Sequence, residues 1–197
     1  VWDDRYSEDG YAYGTEPNDF VREQAHRIPQ GPVLCVAEGE GRNAVHIAGL
    51  GHAVTAVDAS SVGMRKASGL AAERGLELST VVADLSAYAV EAGTWAGVVS
   101  VFAHVPPQVR VDLHRRLVAG LRPGGVLILE AYTPDQIGRG TGGPPVPGPM
   151  MTLEGLRTEL AGLDLVIGRE VVREVHEGRY HTGEAAVVQI VGVAPGK

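Results

Sequence analysis

Cysteine is almost missing from this chain of 197 residues: Cys35 stands alone. A lone cysteine excludes an internal disulfide and sets the expectation of a reducing, cytoplasmic location. At mid-strand, Cys35 reads as a small buried hydrophobe and not as a nucleophile. Positive charge is in short supply, 17 Lys and Arg against 24 Asp and Glu, for a formal charge of −7. With no basic surplus to neutralise phosphates, nucleic acid is not an expected partner. No apolar run approaches the roughly 18 residues of a membrane span, so no membrane association is expected. The first residues, Val1-Trp2-Asp3-Asp4-Arg5-Tyr6, lack the apolar centre of a signal peptide. The histidines are scattered without ligand spacing, so no metal is expected. Internal repeats, low-complexity tails and linkers are absent as well, and one domain over residues 1–197, as monomer or homodimer, is the expectation.

What is present centres on Val33-Leu34-Cys35-Val36-Ala37-Glu38-Gly39-Glu40-Gly41-Arg42-Asn43. The apolar positions 33, 34, 36 and 37 make a short buried strand. Two glycines then make a tight turn, residues 43–50 continue as a helix, and a second apolar strand, residues 53–57, closes on Asp58. Such a turn lets backbone approach a ligand closely, and an acid at the end of the next strand can accept from two ribose hydroxyls. The third glycine of G-x-G-x-x-G is missing, its place taken by Ala44.

Residues 1–16 hold Tyr6, Tyr11 and Tyr13 among charges and glycines, an irregular segment expected to lie over the body as an arm or as a lid on a ligand site. A helix follows Pro17 and stops at residues 29–32. Ser60 or Ser61 caps another through about Gly75, and residues 76–82 form the third strand, with Asp84 just after it. The fourth strand covers residues 97–102, a helix covers about 108–121, Arg122-Pro123-Gly124-Gly125 stops it, and residues 126–132 form the fifth strand. Strands alternating with helices predict an α/β, doubly wound, mostly parallel sheet. Residues 138–149 are a Gly/Pro-rich loop of a length that is often functional. Thr152 caps a short helix, and two long β-runs, 165–175 and 185–193, close the chain as an antiparallel hairpin.

Val33 to Asn43, Asp58, Asp84-Leu85 and Leu121 to Gly125 resemble, in order, the motifs of class I S-adenosylmethionine-dependent methyltransferases, over a cofactor-binding core of residues 32–132. The hairpin, residues 164–194, fits the sixth and seventh strands of that Rossmann-like, seven-stranded fold. Trp2-Asp3-x-Arg5-Tyr6 with Tyr11-x-Tyr13-Gly14-x-x-Pro17-Asn18-x-Phe20 is similar to the start of the small methyltransferases related to tellurite-resistance and thiopurine methyltransferases. The resemblance implies S-adenosylmethionine as cofactor and S-adenosylhomocysteine as product. It places Gly39 and Gly41 beside the methionine portion, Asp58 on the ribose diol, and Ala59, Ser60 and Met64 near the adenosine. Asp84 and Leu85 would meet the adenine, and the segment from Ser100 through Phe102 to His104 would lie below the methyl group. Asn43 belongs to the same turn. The chain departs from the family where Cys35 replaces an acid and Ala37 a glycine. Glu38 or Glu40 would then answer the cofactor's ammonium, with Glu38 nearer the strand end.

Methyl transfer to a thiol or metalloid oxyanion needs little help, whereas a hydroxyl or protonated amine needs a base. His104, just past the fourth strand at the C-terminal edge of the sheet, is a candidate base, and a turn-capping histidine is the alternative. Tyr13 and Tyr132 join it as catalytic candidates through aromatic faces that favour a sulfonium. Tyr6, Tyr11, Tyr13, His104, Tyr132, Arg179 and His181 are the candidate substrate wall. The expected activity is methyl transfer to a small-molecule acceptor (thiol, metalloid oxyanion, or N or O nucleophile) by in-line displacement. An NAD(P)-dependent oxidoreductase and a non-catalytic cofactor-binding protein remain the alternatives.

Overall fold

The computed structural model describes residues 2–196. Val1, part of the expected N-terminal segment, and Lys197 lie outside the described residues. Seven strands, β1 (Val33–Val36), β2 (Val54–Asp58), β3 (Ser79–Val82), β4 (Trp95–Val101), β5 (Leu121–Tyr132), β6 (Asp164–Glu177) and β7 (His181–Val193), form one sheet in the order β3-β2-β1-β4-β5-β7-β6. Strands β1 to β5 run parallel, and β7 is antiparallel to both β5 and β6. This is the expected doubly wound sheet, closed by a C-terminal hairpin.

Strand alternation builds two cores. Val33, Cys35, Val99 and Ile128 face one side and pack with Phe20 and Val21 of α2 (Asp19–Gln24), Ile47 of α3 (Arg42–Gly49), and Met64 and Ala67 of α4 (Ser61–Glu73). Leu34, Val36, Val98, Leu127 and Leu129 face the other and pack with Leu113 and Leu117 of α5 (Pro107–Gly120) and Leu156 of α6 (Leu153–Glu159). Successive side chains on a strand point to opposite faces, so a continuous apolar run serves a sheet covered on both sides. Cys35 is fully buried, as its place in the run implied. Ser60 and Thr152 cap α4 and α6, accepting from the backbone N–H of Gly63 and Gly155.

Three expectations need correction. Helix α5 ends at Gly120, just before Arg122 to Gly125, but that stretch is not a break before the fifth strand. It is the start of β5, with Leu121 paired to Trp95 and a register shift before Gly97 pairs with Val126. Backbone pairing there needs nothing of the side chains, so Arg-Pro-Gly-Gly can bend into the ladder. The N-terminal segment is also not wholly irregular or superficial. Residues Trp2–Tyr6 form a one-turn helix, α1, and the Tyr6 ring is buried. The third strand is shorter than the apolar run that announced it, beginning at Ser79.

The strand order reverses between β1 and β4. Open α/β sheets bind ligands in the crevice at that point, beyond the carboxyl ends of the strands. Both strands leave it in an unusual backbone state: Ala37, after β1, has φ of 50°, and Phe102, after β4, has φ of 51°. Non-glycine residues seldom take positive φ, and such strain concentrates at functional sites.

Candidate active site

A cavity of about 410 Å³ occupies this crevice, within the roughly 300–1,000 Å³ usual for small-molecule sites. Of the sequence-selected residues, Glu38, Gly39, Glu40, Asn43, Asp58, Ala59, Leu85, Phe102, Tyr6, Tyr13, His104, Tyr132 and His181 line it. The wall also includes Trp2, Arg5, Arg42, Val101, Val105 and Gly143 to Pro145.

Asp58 is buried at the end of β2. Its Oδ2 accepts from the Gly39 N–H at 2.9 Å and its Oδ1 from the Ser60 N–H at 2.8 Å. Burial raises its carboxyl above the ordinary value. Each oxygen keeps a lone pair for a further donor. Glu38 follows the strained Ala37, and its Oε1 accepts from the Ala44 N–H at 2.7 Å, satisfying a free donor at the start of α3. Burial pushes its carboxyl up to about 7. Glycine is required at 39 because a Cβ there would stand 2.7 Å from the Tyr6 hydroxyl.

The N-terminal segment forms the roof and is latched at several points. Glu40 Oε2 accepts from the Ala12 N–H at 2.7 Å, and Glu40 Oε1 pairs with Lys66 Nζ at 2.9 Å. Lys66 also donates to the carbonyls of Glu8 and Gly10. Both Glu40 oxygens are thus engaged in holding the segment down.

Several assignments move outside the cavity. Gly41 serves helix packing, since its Cβ would lie 2.6 Å from that of Ala67. Met64 belongs to the core, Ser60 caps α4 and bonds Asp3, and Ser100 is buried inside β4. Asp84 is exposed, holding the turn after β3 by accepting from the Ser86 N–H at 2.8 Å. Tyr11 lies beside Val45 and Leu70, under Lys66. Arg179 pairs with Glu8 at 3.0 Å.

His104 also changes role. Its Nδ1 bonds the Pro149 carbonyl at 3.2 Å, and the Tyr132 N–H donates to its Nε2 at 3.2 Å. Those two bonds fix the tautomer and leave neither nitrogen for a substrate proton. Burial pushes the ring down to about 4, so it is neutral. His104 ties the Gly/Pro loop to the end of β5 and is not the base. Tyr13, the second catalytic candidate, accepts from Arg5 Nη1 at 2.8 Å.

Beneath the roof the rings converge. Phe102 and Tyr132 stack at 4.4 Å, His104 and Tyr132 at 5.6 Å, and His181 meets Tyr13 at 4.5 Å and Phe102 at 4.8 Å. Among the described residues, three cavity-wall side chains carry a buried polar atom without a hydrogen-bond partner: Arg42 Nη1, Tyr132 Oη and His181 Nδ1. Unpartnered buried polar atoms are uncommon, and each asks for a ligand or a function. Behind them Glu177 accepts from Arg42 Nη2 at 2.6 Å and from Asn18 Nδ2 at 2.8 Å. Neither Arg42 nor Glu177 was singled out from the sequence, although Arg42 directly follows the glycine pair.

The residues present suit S-adenosylmethionine. Asp58 offers an ionisable acceptor to a diol, Leu85 an apolar face to a base, and Glu38 a buried carboxyl to an ammonium, whose arrival favours the charged form. Comparison with known proteins agrees. Residues 33–125 match the family described as methyltransferase domain. That match covers just under half of the chain, from β1 into β5, and includes Gly39, Asp58 and Leu85. A 2-heptyl-1-hydroxyquinolin-4(1H)-one methyltransferase of Mycobacteroides abscessus is 32% identical over 113 residues, 53% of this chain and 50% of that protein. The chain therefore spans about half the length of that curated relative. Among solved structures, one from work on conversion of a disulfide bond into a thioacetal group during echinomycin biosynthesis aligns with a TM-score of 0.74 at 22% identity, over 99% of this chain and 91% of its own. TehB from Haemophilus influenzae aligns at 0.75 and 18% identity, over 90% and 62%. A S-adenosylmethionine-dependent methyltransferase of Methanosarcina mazei aligns at 0.71 and 16% identity, over 92% and 100%. At these identities the three speak for the fold.

Proposed function

We propose that the protein methylates a small, planar, partly apolar acceptor, within a subgroup similar to the tellurite-resistance and thiopurine methyltransferases. The observation that carries this reading is the composition of one cavity: a buried carboxylate, Asp58, shares it with a wall of stacked rings and unpartnered polar atoms. S-adenosylmethionine, when bound, supplies the methyl group and leaves as S-adenosylhomocysteine. Asp58, Glu38, Gly39, Asn43, Ala59 and Leu85 hold it; Tyr6, Tyr13, Phe102, Tyr132 and His181 hold and orient the acceptor. Orientation of the nucleophile supplies most of the acceleration. The roof, residues 2–16, acts as the lid that excludes water. The acceptor atom is an oxygen, in keeping with a relative whose name is that of a hydroxyquinolinone methyltransferase. Thiols and metalloid oxyanions are the other acceptors to screen. The acidic chain works without nucleic acid or membrane, as a monomer or homodimer in the cytoplasm.

The direct test incubates the protein with S-adenosylmethionine and 2-heptyl-1-hydroxyquinolin-4(1H)-one, a thiol, or tellurite. Mass spectrometry follows methylated product and S-adenosylhomocysteine together. Stoichiometric appearance of both with the hydroxylated heterocycle is expected. Turnover of the thiol or tellurite alone would contradict the oxygen acceptor.

A further inference from the structure

With both nitrogens of His104 committed to backbone, the cavity wall still holds one imidazole with free nitrogens. His181 opens β7, and its Nδ1 is buried without a hydrogen bond, 3.9 Å from Glu177 Oε2. Its Nε2 bonds to nothing among the described residues. The ring is held by its neighbours, with Tyr13 at 4.5 Å, Phe102 at 4.8 Å and Tyr132 at 5.3 Å between centroids. The carboxylate behind it is fixed more firmly still. Glu177 Oε1 takes Asn18 Nδ2 at 2.8 Å and Arg173 Nη2 at 3.2 Å, and Oε2 takes Arg42 Nη2 at 2.6 Å. Burial alone would raise the Glu177 carboxyl, but His181, Arg42 and Arg173 outweigh it and hold it at about 2, so it is charged. Burial also keeps His181 below its ordinary value, hence neutral with a lone pair to offer at neutral pH.

The unpartnered Tyr132 hydroxyl lies beside the same ring. A Cβ on Gly142, whose φ is +119°, would stand 2.7 Å from His181 Cδ2 and 3.0 Å from Tyr132 Oη. One point in the Gly/Pro loop thus touches the imidazole edge and the hydroxyl. A ring nitrogen oriented by a carboxylate, with a second polar group alongside, is the arrangement of a general base. Hydrogen bonds in such sets are often long before substrate arrives, which suits the 3.9 Å gap to Glu177.

Resting on the methyltransferase reading above, we propose that His181, positioned by Glu177, is the base that takes the proton of a hydroxyl acceptor, with Tyr132 Oη hydrogen-bonded to the acceptor oxygen. The proton passes from the hydroxyl to His181 Nε2 as the new oxygen–carbon bond forms. The carbon–sulfur bond breaks with its electron pair left on sulfur. The resulting imidazolium faces the Glu177 carboxylate, and solvent takes the proton after product leaves. A base of this kind contributes about 10²–10⁴-fold, and more when the hydroxyl is weakly acidic.

The test uses phenol and 4-nitrophenol as acceptors for the whole protein with S-adenosylmethionine. Phenol needs its proton removed; 4-nitrophenol is largely ionised in mildly alkaline buffer. His181→Gln should lose about 100-fold or more on phenol and less than about tenfold on 4-nitrophenol. Glu177→Gln should show the same selectivity at smaller size. Calorimetric binding of S-adenosylhomocysteine by both variants checks that they fold. Equal losses on the two phenols, or no loss on either, would overturn the assignment. Cofactor binding by wild type with turnover of neither phenol would overturn it too. Failure of wild type to bind the cofactor would instead refute the reading on which it rests.

Discussion

At the scale of single residues, Arg173 shows how much of the site depends on charge that never touches it. Glu130, fully buried in β5, takes Arg173 Nε at 3.1 Å as well as its Nη2, Asn18 Nδ2 at 2.8 Å and Gln189 Nε2 at 2.6 Å. The same guanidinium reaches Glu177, so one side chain of β6 ties β5 to the residue behind His181. Removing one partner of a buried pair leaves the other uncompensated, at a cost of about 3–5 kcal/mol. Arg173→Ala should lose that much in chemical denaturation, and Arg173→Lys should recover little because it lacks the two-pronged fork. A loss below about 1 kcal/mol would mean that the network is ornamental to the fold.

Among the elements, the strands of the sheet were readable because both faces are covered and apolar runs follow. Strand β1, the glycine turn, α3, β2 and Asp58 fell where residue type alone puts them. Element ends were harder. Arg122 to Gly125 has the look of a stop, yet backbone hydrogen bonds carry it into β5. Helix α1 is one turn long and offers no period to detect. Tyr6 and Tyr11 are alike in sequence, but only Tyr6 reaches the cavity, because Lys66 and Glu40 draw residues 8–12 across α4. His104 and His181 were separable by nothing local: what disqualifies the first is a carbonyl at Pro149 and an amide at Tyr132, both far along the chain. Arg42 and Glu177 pair across more than half its length, a contact that spacing cannot announce.

For the molecule as a whole, buried ionisable groups set the response to pH. Glu177 and Glu159 are both held at about 2, the latter because His114 and Arg110 overcome the effect of burial. Their folded values lie below the ordinary 4.5, so their stabilisation is complete above about pH 4.5 and is lost as pH falls toward 2. His104, lowered from 6.5 to about 4, costs stability as pH falls between those values, because the unfolded chain binds the proton more readily. Glu38, raised from 4.5 to about 7, acts in the opposite sense, costing stability as pH rises across its window. The last two nearly cancel. The Tm should therefore be flat between about pH 4.5 and 6.5 and fall steeply below. Glu38→Gln keeps an acceptor for the Ala44 N–H and removes one of the opposed terms. Its Tm should climb with pH over that window, by on the order of 5–10 °C. A flat profile in the variant would contradict the lowered His104, and an equal slope in wild type and variant would contradict the burial of a titrating Glu38.

On the proposed reading a cofactor and its acceptor share one crevice, and Asp58 is where that reading is most exposed to test. Isothermal calorimetry with S-adenosylmethionine and S-adenosylhomocysteine should compare wild type with Asp58→Ala, its fold verified by circular dichroism. Both ligands should bind wild type, and both should weaken by about 10–100-fold in the variant, the worth of hydrogen bonds from a diol to a charged acceptor. No binding by wild type, or a folded variant that binds as tightly as wild type, would contradict the account.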